Sequence, residues 1–192
     1  MCETAVTTAE FIGRLPLRLL GAISLTETAR LDPATGFVRP WPWTVNADGQ
    51  GQFFATKQDA IAAVTALQAH GVRSIDVGCL QINLMYHKGA FHSLGDAFDP
   101  RSNALYAARF LNALYAEDKD WSHAIAAYHS ETPALGNAYR VLVLARWQNP
   151  DLQHSVSRTG AYRDFVHDAR VYGAFAPRDQ VYRAFAPSLP TN

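Results

Sequence analysis

The stretch Leu19-Leu20-Gly21-Ala22-Ile23-Ser24-Leu25-Thr26-Glu27-Thr28 sets a single carboxylate into a run of apolar and small residues. Pro16, a residue favoured in a first helical turn, predicts a helix from about Pro16 to about Arg30. Its stripe is Leu20, Ile23/Ser24, Glu27 and Leu31 at helical spacing, so Glu27 falls on the face that packs against the rest of the molecule. Desolvation there disfavours the charged carboxylate and raises its pKa. An acid that must donate a proton near neutral pH needs that property. The plain alternative is a solvated glutamate, the commoner state of this residue type.

Outward from this helix, capping chemistry announces others. Thr56 can cap a second helix with Asp59 in its first turn, stopping where Gly71 follows His70. A third starts at Asp99-Pro100 and carries Leu105, Ala108, Leu111/Asn112 and Tyr115; a fourth covers about Ser122 to His129; a fifth follows Thr132-Pro133 to about Trp147. Between them, Trp41-Pro42-Trp43-Thr44-Val45-Asn46 and Gln52-Phe53-Phe54 flank the turn-forming Ala47-Asp48-Gly49-Gln50-Gly51, which predicts a small β-hairpin. The expectation is a mainly α, α+β domain over residues 1–150. A C-terminal extension, 151–192, contains Val171-Tyr172-Gly173-Ala174-Phe175-Ala176-Pro177, nearly repeated as Val181-Tyr182-Arg183-Ala184-Phe185-Ala186-Pro187; its aromatics suggest packing on the domain.

A chain of 192 residues with 48% hydrophobic and 18% charged content can bury a sizeable core. Lys plus Arg equal Asp plus Glu at 17 each, so no positive field points to nucleic acid as a partner. The apolar run Val141 to Ala145 is far short of the roughly 20 residues that span a bilayer. The opening Met1-Cys2-Glu3-Thr4-Ala5 has no export-signal pattern, which taken literally predicts a cytoplasmic protein. Two cysteines, Cys2 and Cys79, allow one disulfide, two buried thiols, or acylation of Cys2. Neither His87 with His92 nor His123 with His129 has zinc-ligand spacing, so no metal is expected. Phosphate loops and serine-hydrolase elbows are absent from the sequence.

Two further segments, Asp76-Val77-Gly78-Cys79-Leu80-Gln81-Ile82-Asn83 and Ala126-Ala127-Tyr128-His129-Ser130, follow the Glu27 segment. In this order the three resemble the motifs of the soluble lytic transglycosylase domain, in the lysozyme-like superfamily that cleaves bacterial peptidoglycan. The resemblance spans about Leu15 to Trp147 and is nearest the branch associated with secretion systems and flagella. The family pattern has Glu-Ser, Gly-Leu-Met-Gln and Ala-Tyr-Asn where this chain has Glu27-Thr28, Gly78-Cys79-Leu80-Gln81 and Ala126/127-Tyr128-His129.

The resemblance implies a lysozyme-like fold with Glu27 as acid and base and Tyr128 hydrogen-bonding near it. Gln81 and Asn83 would line the sugar groove, with Thr28 and His129 in supporting contacts. For Gln81 the structural alternative is an amide capping its own turn, and for Tyr128 a core aromatic bonded to backbone. The implied reaction cleaves between MurNAc and GlcNAc to form a 1,6-anhydro sugar without a cofactor. Its partners would be glycan strands and a secretion or flagellar assembly. An exported substrate implies a periplasmic location, with the export signal absent from this sequence, and favours a Cys2–Cys79 disulfide.

Rival readings are a muramidase that uses water on the same fold, a non-catalytic wall-binding module, and a cytoplasmic helical adaptor. A muramidase would need a second carboxylate, for which Asp32, Asp48 and Asp76 are the candidates; each also has a turn or loop-anchoring role open to it. Trp41, Trp43, Phe53 and Phe54 offer either sugar-stacking rings or a satellite core.

Overall fold

The computed structural model describes residues 1–32 and 35–149; the expected C-terminal extension and its near-repeat lie outside the described residues. The described part is a mixed α+β fold, with seven helices and two small antiparallel sheets. Its first helix, α1 (Cys2–Gly13), was not expected from the sequence. No side chain caps it, and its buried stripe of Cys2, Val6 and Ala9 is too small to stand out. It packs along α5 (Pro100–Asp118) and against α2 (Leu19–Thr28).

Helix α2 is shorter at both ends than the capping signals imply. Pro16 lies in the turn before it, and Arg18 at its N-cap is left-handed, with φ 67°. The exposed N-terminal amides are held from outside, because buried Glu10 accepts from the backbone N–H of Gly21 at 3.0 Å and of Arg18 at 3.3 Å. Leu19, Leu20, Ala22 and Ile23 are wholly buried. Each large one contributes about 1.5–3 kcal/mol of transfer free energy. Leu31 is not on this stripe: the chain leaves the helix at Ala29, enters β1 (Ala29–Leu31), and exposes Leu31.

Strand β1 pairs with β2 (Val38–Pro40), a ribbon that the sequence reading missed. The expected hairpin is β3 (Thr44–Ala47) and β4 (Gln50–Phe53), turned tightly at Asp48 and Gly49, both with positive φ. It is half of a larger sheet ordered β4-β3-β5-β6, completed by β5 (Ile75–Val77) and β6 (Ile82–Asn83). One face of this sheet, with Val45, Ala47, Ile75 and Val77, packs on Ala60 and Val64 of α3 (Lys57–Ala69) and on Ala97 of α4 (Leu94–Ala97). Thr56 caps α3 by accepting from Asp59 N–H. Trp43 and Phe54 pack against this smaller core.

The larger core joins α1, α2 and α5 to α6 (Trp121–His129) and α7 (Pro133–Gln148). On α5 the buried stripe is Ala104, Ala107, Ala108, Leu111 and Leu114, whereas Leu105 and Tyr115 are only half-buried. The expected stripe is therefore rotated toward its small residues, which let α1 approach closely. Cys2 and Cys79 are joined in a buried disulfide, Cα–Cα 5.8 Å, that ties α1 to the loop after β5. No described helix is long and apolar enough to cross a membrane.

Candidate functional site

Glu27 lies one residue from the C-terminal end of α2, with part of its surface open to solvent while its neighbours Leu25, Thr26 and Thr28 are buried. The Tyr139 hydroxyl donates to Glu27 Oε1 at 2.6 Å. Burial raises the Glu27 pKa from 4.5 to about 8; the Tyr139 bond opposes that shift, and the charge of Asp76 adds to it. Glu27 is therefore protonated at neutral pH, with a phenol oriented on one of its oxygens.

Asp76 reaches this neighbourhood on the sheet. In the register, Asn46 on β3 faces Asp76 on β5, which faces Asn83 on β6, so the three side chains share one face. Asn83 Nδ2 donates to Asp76 Oδ1 at 2.7 Å and Asn46 Nδ2 donates to Asp76 Oδ2 at 3.0 Å. Burial raises the Asp76 pKa from 3.8 to about 6, against the pull of these two amides. At pH 7 the pair is one protonated and one ionised carboxyl, set apart by environment rather than residue type.

The loop between β5 and β6 is fastened from several directions. Ser24 and Thr28 hydroxyls donate to the Cys79 carbonyl at 2.9 and 3.1 Å. Asn103 accepts from Leu80 N–H at 2.9 Å and donates to the carbonyls of Val77 and Ala97, each at 3.0 Å. Gly78 has φ 82°, and a Cβ there would stand 2.5 Å from Asn103 Nδ2, so only glycine fits. Gln81 also adopts a left-handed conformation, φ 47°. Such a backbone in a non-glycine residue persists only where its surroundings over-determine it.

Several expected site residues make contacts within the fold. Tyr128 donates its hydroxyl proton to the Leu80 carbonyl at 2.9 Å, so the phenol on Glu27 is that of Tyr139 on the next helix. The Gln81 amide donates to the carbonyls of Gly78 at 3.0 Å and Thr44 at 3.2 Å, closing its own turn. Asn83 is saturated: its amide donates to Ser74 and Asp76, and its oxygen accepts from the N–H groups of Met85 and Tyr86. Thr28 is fully buried, with its hydroxyl on the Ser24 and Cys79 carbonyls, and cannot meet a sugar. The His129 ring stacks on that of Tyr139, centroids 4.4 Å apart and planes 6° apart, and burial lowers its pKa to about 4. A neutral imidazole thus backs the phenol that bonds Glu27.

Tyr139 escaped the sequence reading, although Gly136, Tyr139 and Val143 form the buried stripe of α7 at helical spacing. Gly136 lets that helix close on α6, since a Cβ there would meet the carbonyls of Ser130 and Ala126. Among the described residues no group of three or more His, Cys, Asp and Glu side chains could hold a metal ion.

The fold and site thus define an α+β protein with a protonated carboxyl on a helix that feels the charge of a carboxylate on a sheet. Compared with known proteins, the chain matches no family model, no curated protein and no solved structure.

Proposed function

We propose that this protein is a lytic transglycosylase with a lysozyme-like fold, cleaving the β-1,4 bond between MurNAc and GlcNAc in peptidoglycan. The observation that carries this reading is Glu27, a carboxyl kept protonated to about pH 8 with Tyr139 on one oxygen. The three-motif resemblance supplies the substrate. Glu27 donates its proton to the glycosidic oxygen as the C1–O4 bond breaks. The resulting carboxylate, steadied by Tyr139, accepts the proton of the MurNAc 6-hydroxyl as that oxygen bonds to C1. The 1,6-anhydro ring closes, Glu27 regains its proton, and no cofactor, metal or external water enters the balance.

The Cys2–Cys79 disulfide supports an oxidising compartment, and the reading assigns the periplasm. Glycan strands are the partner, and a secretion or flagellar assembly is the machine that local wall opening would serve. A second reading rests on Asp76, whose charge is felt at Glu27. An ionised carboxylate there could activate water, making the enzyme a muramidase. The experiment that separates them digests purified sacculi and weighs the fragments. Anhydro ends support the first reading, reducing MurNAc ends the second, and intact sacculi a wall-binding module.

A further inference from the structure

In the β1–β2 ribbon, Arg30 stands directly opposite Arg39, so both side chains leave the same face. Like charges paired across strands are unfavourable, and both residues are half-buried rather than extended into solvent. Among the described residues neither guanidinium has an acidic partner. Arg30 is held instead by aromatic rings: its guanidinium carbon lies 4.4 Å from the Trp41 ring centroid and 5.7 Å from that of Phe53. Trp41 is itself fixed, its Nε1–H donating to the Phe54 carbonyl at 2.7 Å and its backbone N–H to the Thr28 carbonyl at 3.0 Å. That second bond extends the ribbon's ladder to the end of α2. Arg30 follows Glu27 by three residues, a span of at most about 11 Å of extended chain.

A pair of unneutralised arginines, one pre-oriented on a rigid aromatic, matches the forked geometry that a carboxylate accepts. We propose that Arg30 and Arg39 form a carboxylate-binding site beside the reacting sugar, which takes an acid group carried on the muramyl residue. The inference rests on the glycan-cleaving reading above and adds a charge requirement to it. Two sources offer this chemistry: the free lactyl acid of a peptide-stripped strand, and the carboxylates of an attached stem peptide. In either case the ribbon reads the muramyl substituent while Glu27 acts on the glycosidic bond. The face of the Trp41 ring under Arg30 then serves as the arginine's platform rather than as a sugar-stacking surface.

The test uses the full chain and three soluble GlcNAc–MurNAc tetrasaccharides: with free lactyl acids, with those acids converted to methylamides, and with stem tripeptides attached. Cleavage is followed with the wild type, and binding with Glu27→Gln, which leaves the substrate intact. An acid-bearing probe should bind about tenfold tighter than the methylamide. Added to the Glu27→Gln background, Arg39→Gln should remove that preference without changing methylamide affinity, and Arg39→Lys should restore part of it. Preference for the free acid assigns the lactyl group, and preference for the tripeptide probe assigns the stem. Equal affinity of all three probes for the Glu27→Gln protein overturns the site, whatever the fate of the arginine variants. Failure of the wild type to cleave any probe overturns the enzymatic reading instead, and the binding series still decides the carboxylate site.

Discussion

Glu27 and Asp76 show how two like residues acquire different protonation states from their surroundings. Burial raises both pKa values; Glu27, with one phenolic donor and the charge of Asp76 adding to the rise, reaches about 8, whereas Asp76, with an amide on each oxygen, reaches only about 6. Replacing Tyr139 by Phe removes the donor that favours the ionised Glu27. The Glu27 pKa should then rise above about 8, moving the alkaline limb of the pH–rate profile upward while turnover falls about 10- to 100-fold. Steady-state assays across pH would check both, and an unchanged limb would detach Tyr139 from the acid. Tyr128→Phe should act differently. It strips the Leu80 carbonyl of its donor, costing about 1 kcal/mol of stability in a denaturant titration while leaving turnover near that of the wild type.

At the scale of elements, the site is a helix end clamped to a sheet loop, with a second helix reaching across. Gly78 is where this construction leaves no room, and Gly78→Ala should destabilise the fold by about 2 kcal/mol or more, because the conformation and the Asn103 contact both exclude a methyl group. Thermal denaturation would test it. Helices α3, α5 and α7 were legible because Thr56, Asp99-Pro100 and Thr132-Pro133 are local start signals, whereas the cap of α6, Asp120, lies two residues before the start expected at Ser122. The turn at Asp48-Gly49 was legible for the same reason. Strands β1, β2, β5 and β6 were not, because two- and three-residue strands are specified by partners distant in sequence. The site follows that division. An apolar stripe together with the three-motif resemblance singled out Glu27, but only the pairing of β3, β5 and β6 brings Asn46, Asp76 and Asn83 into line. A tyrosine on a buried stripe carries no local mark of which carboxyl it will meet, and so Tyr139 stayed hidden while the motif resemblance pointed to Tyr128.

At the scale of the whole molecule, the disulfide closes a loop with a sequence separation of 77, and Cys79→Ser should cost on the order of 4 kcal/mol by the chain-entropy argument. Equal unfolding midpoints with and without reductant would contradict this. Four strongly shifted groups set a pH profile for stability. His87 and His129 have pKa values lowered from 6.5 to about 4, so the unfolded chain binds more protons there and stability is lost as pH falls from 6.5 toward 4. Asp76, raised from 3.8 to about 6, and Glu27, raised from 4.5 to about 8, act oppositely, losing stability as pH rises through those windows. Above 6.5, the ordinary histidine value, Glu27 is the one of these four that still titrates, up to about 8. Stability should therefore decline from about pH 6.5 toward 8, and Glu27→Gln should remove that decline. In the proposed reaction Glu27 serves in turn as acid and base for an intramolecular attack on a muramyl C1. Mass spectrometry of fragments released from purified sacculi tests this most directly. The wild type should release 1,6-anhydroMurNAc ends, lighter by one water than hydrolysed ends, and Glu27→Gln should lower the yield at least about 100-fold. Reducing MurNAc ends as the sole product, or undiminished release by Glu27→Gln, would contradict it.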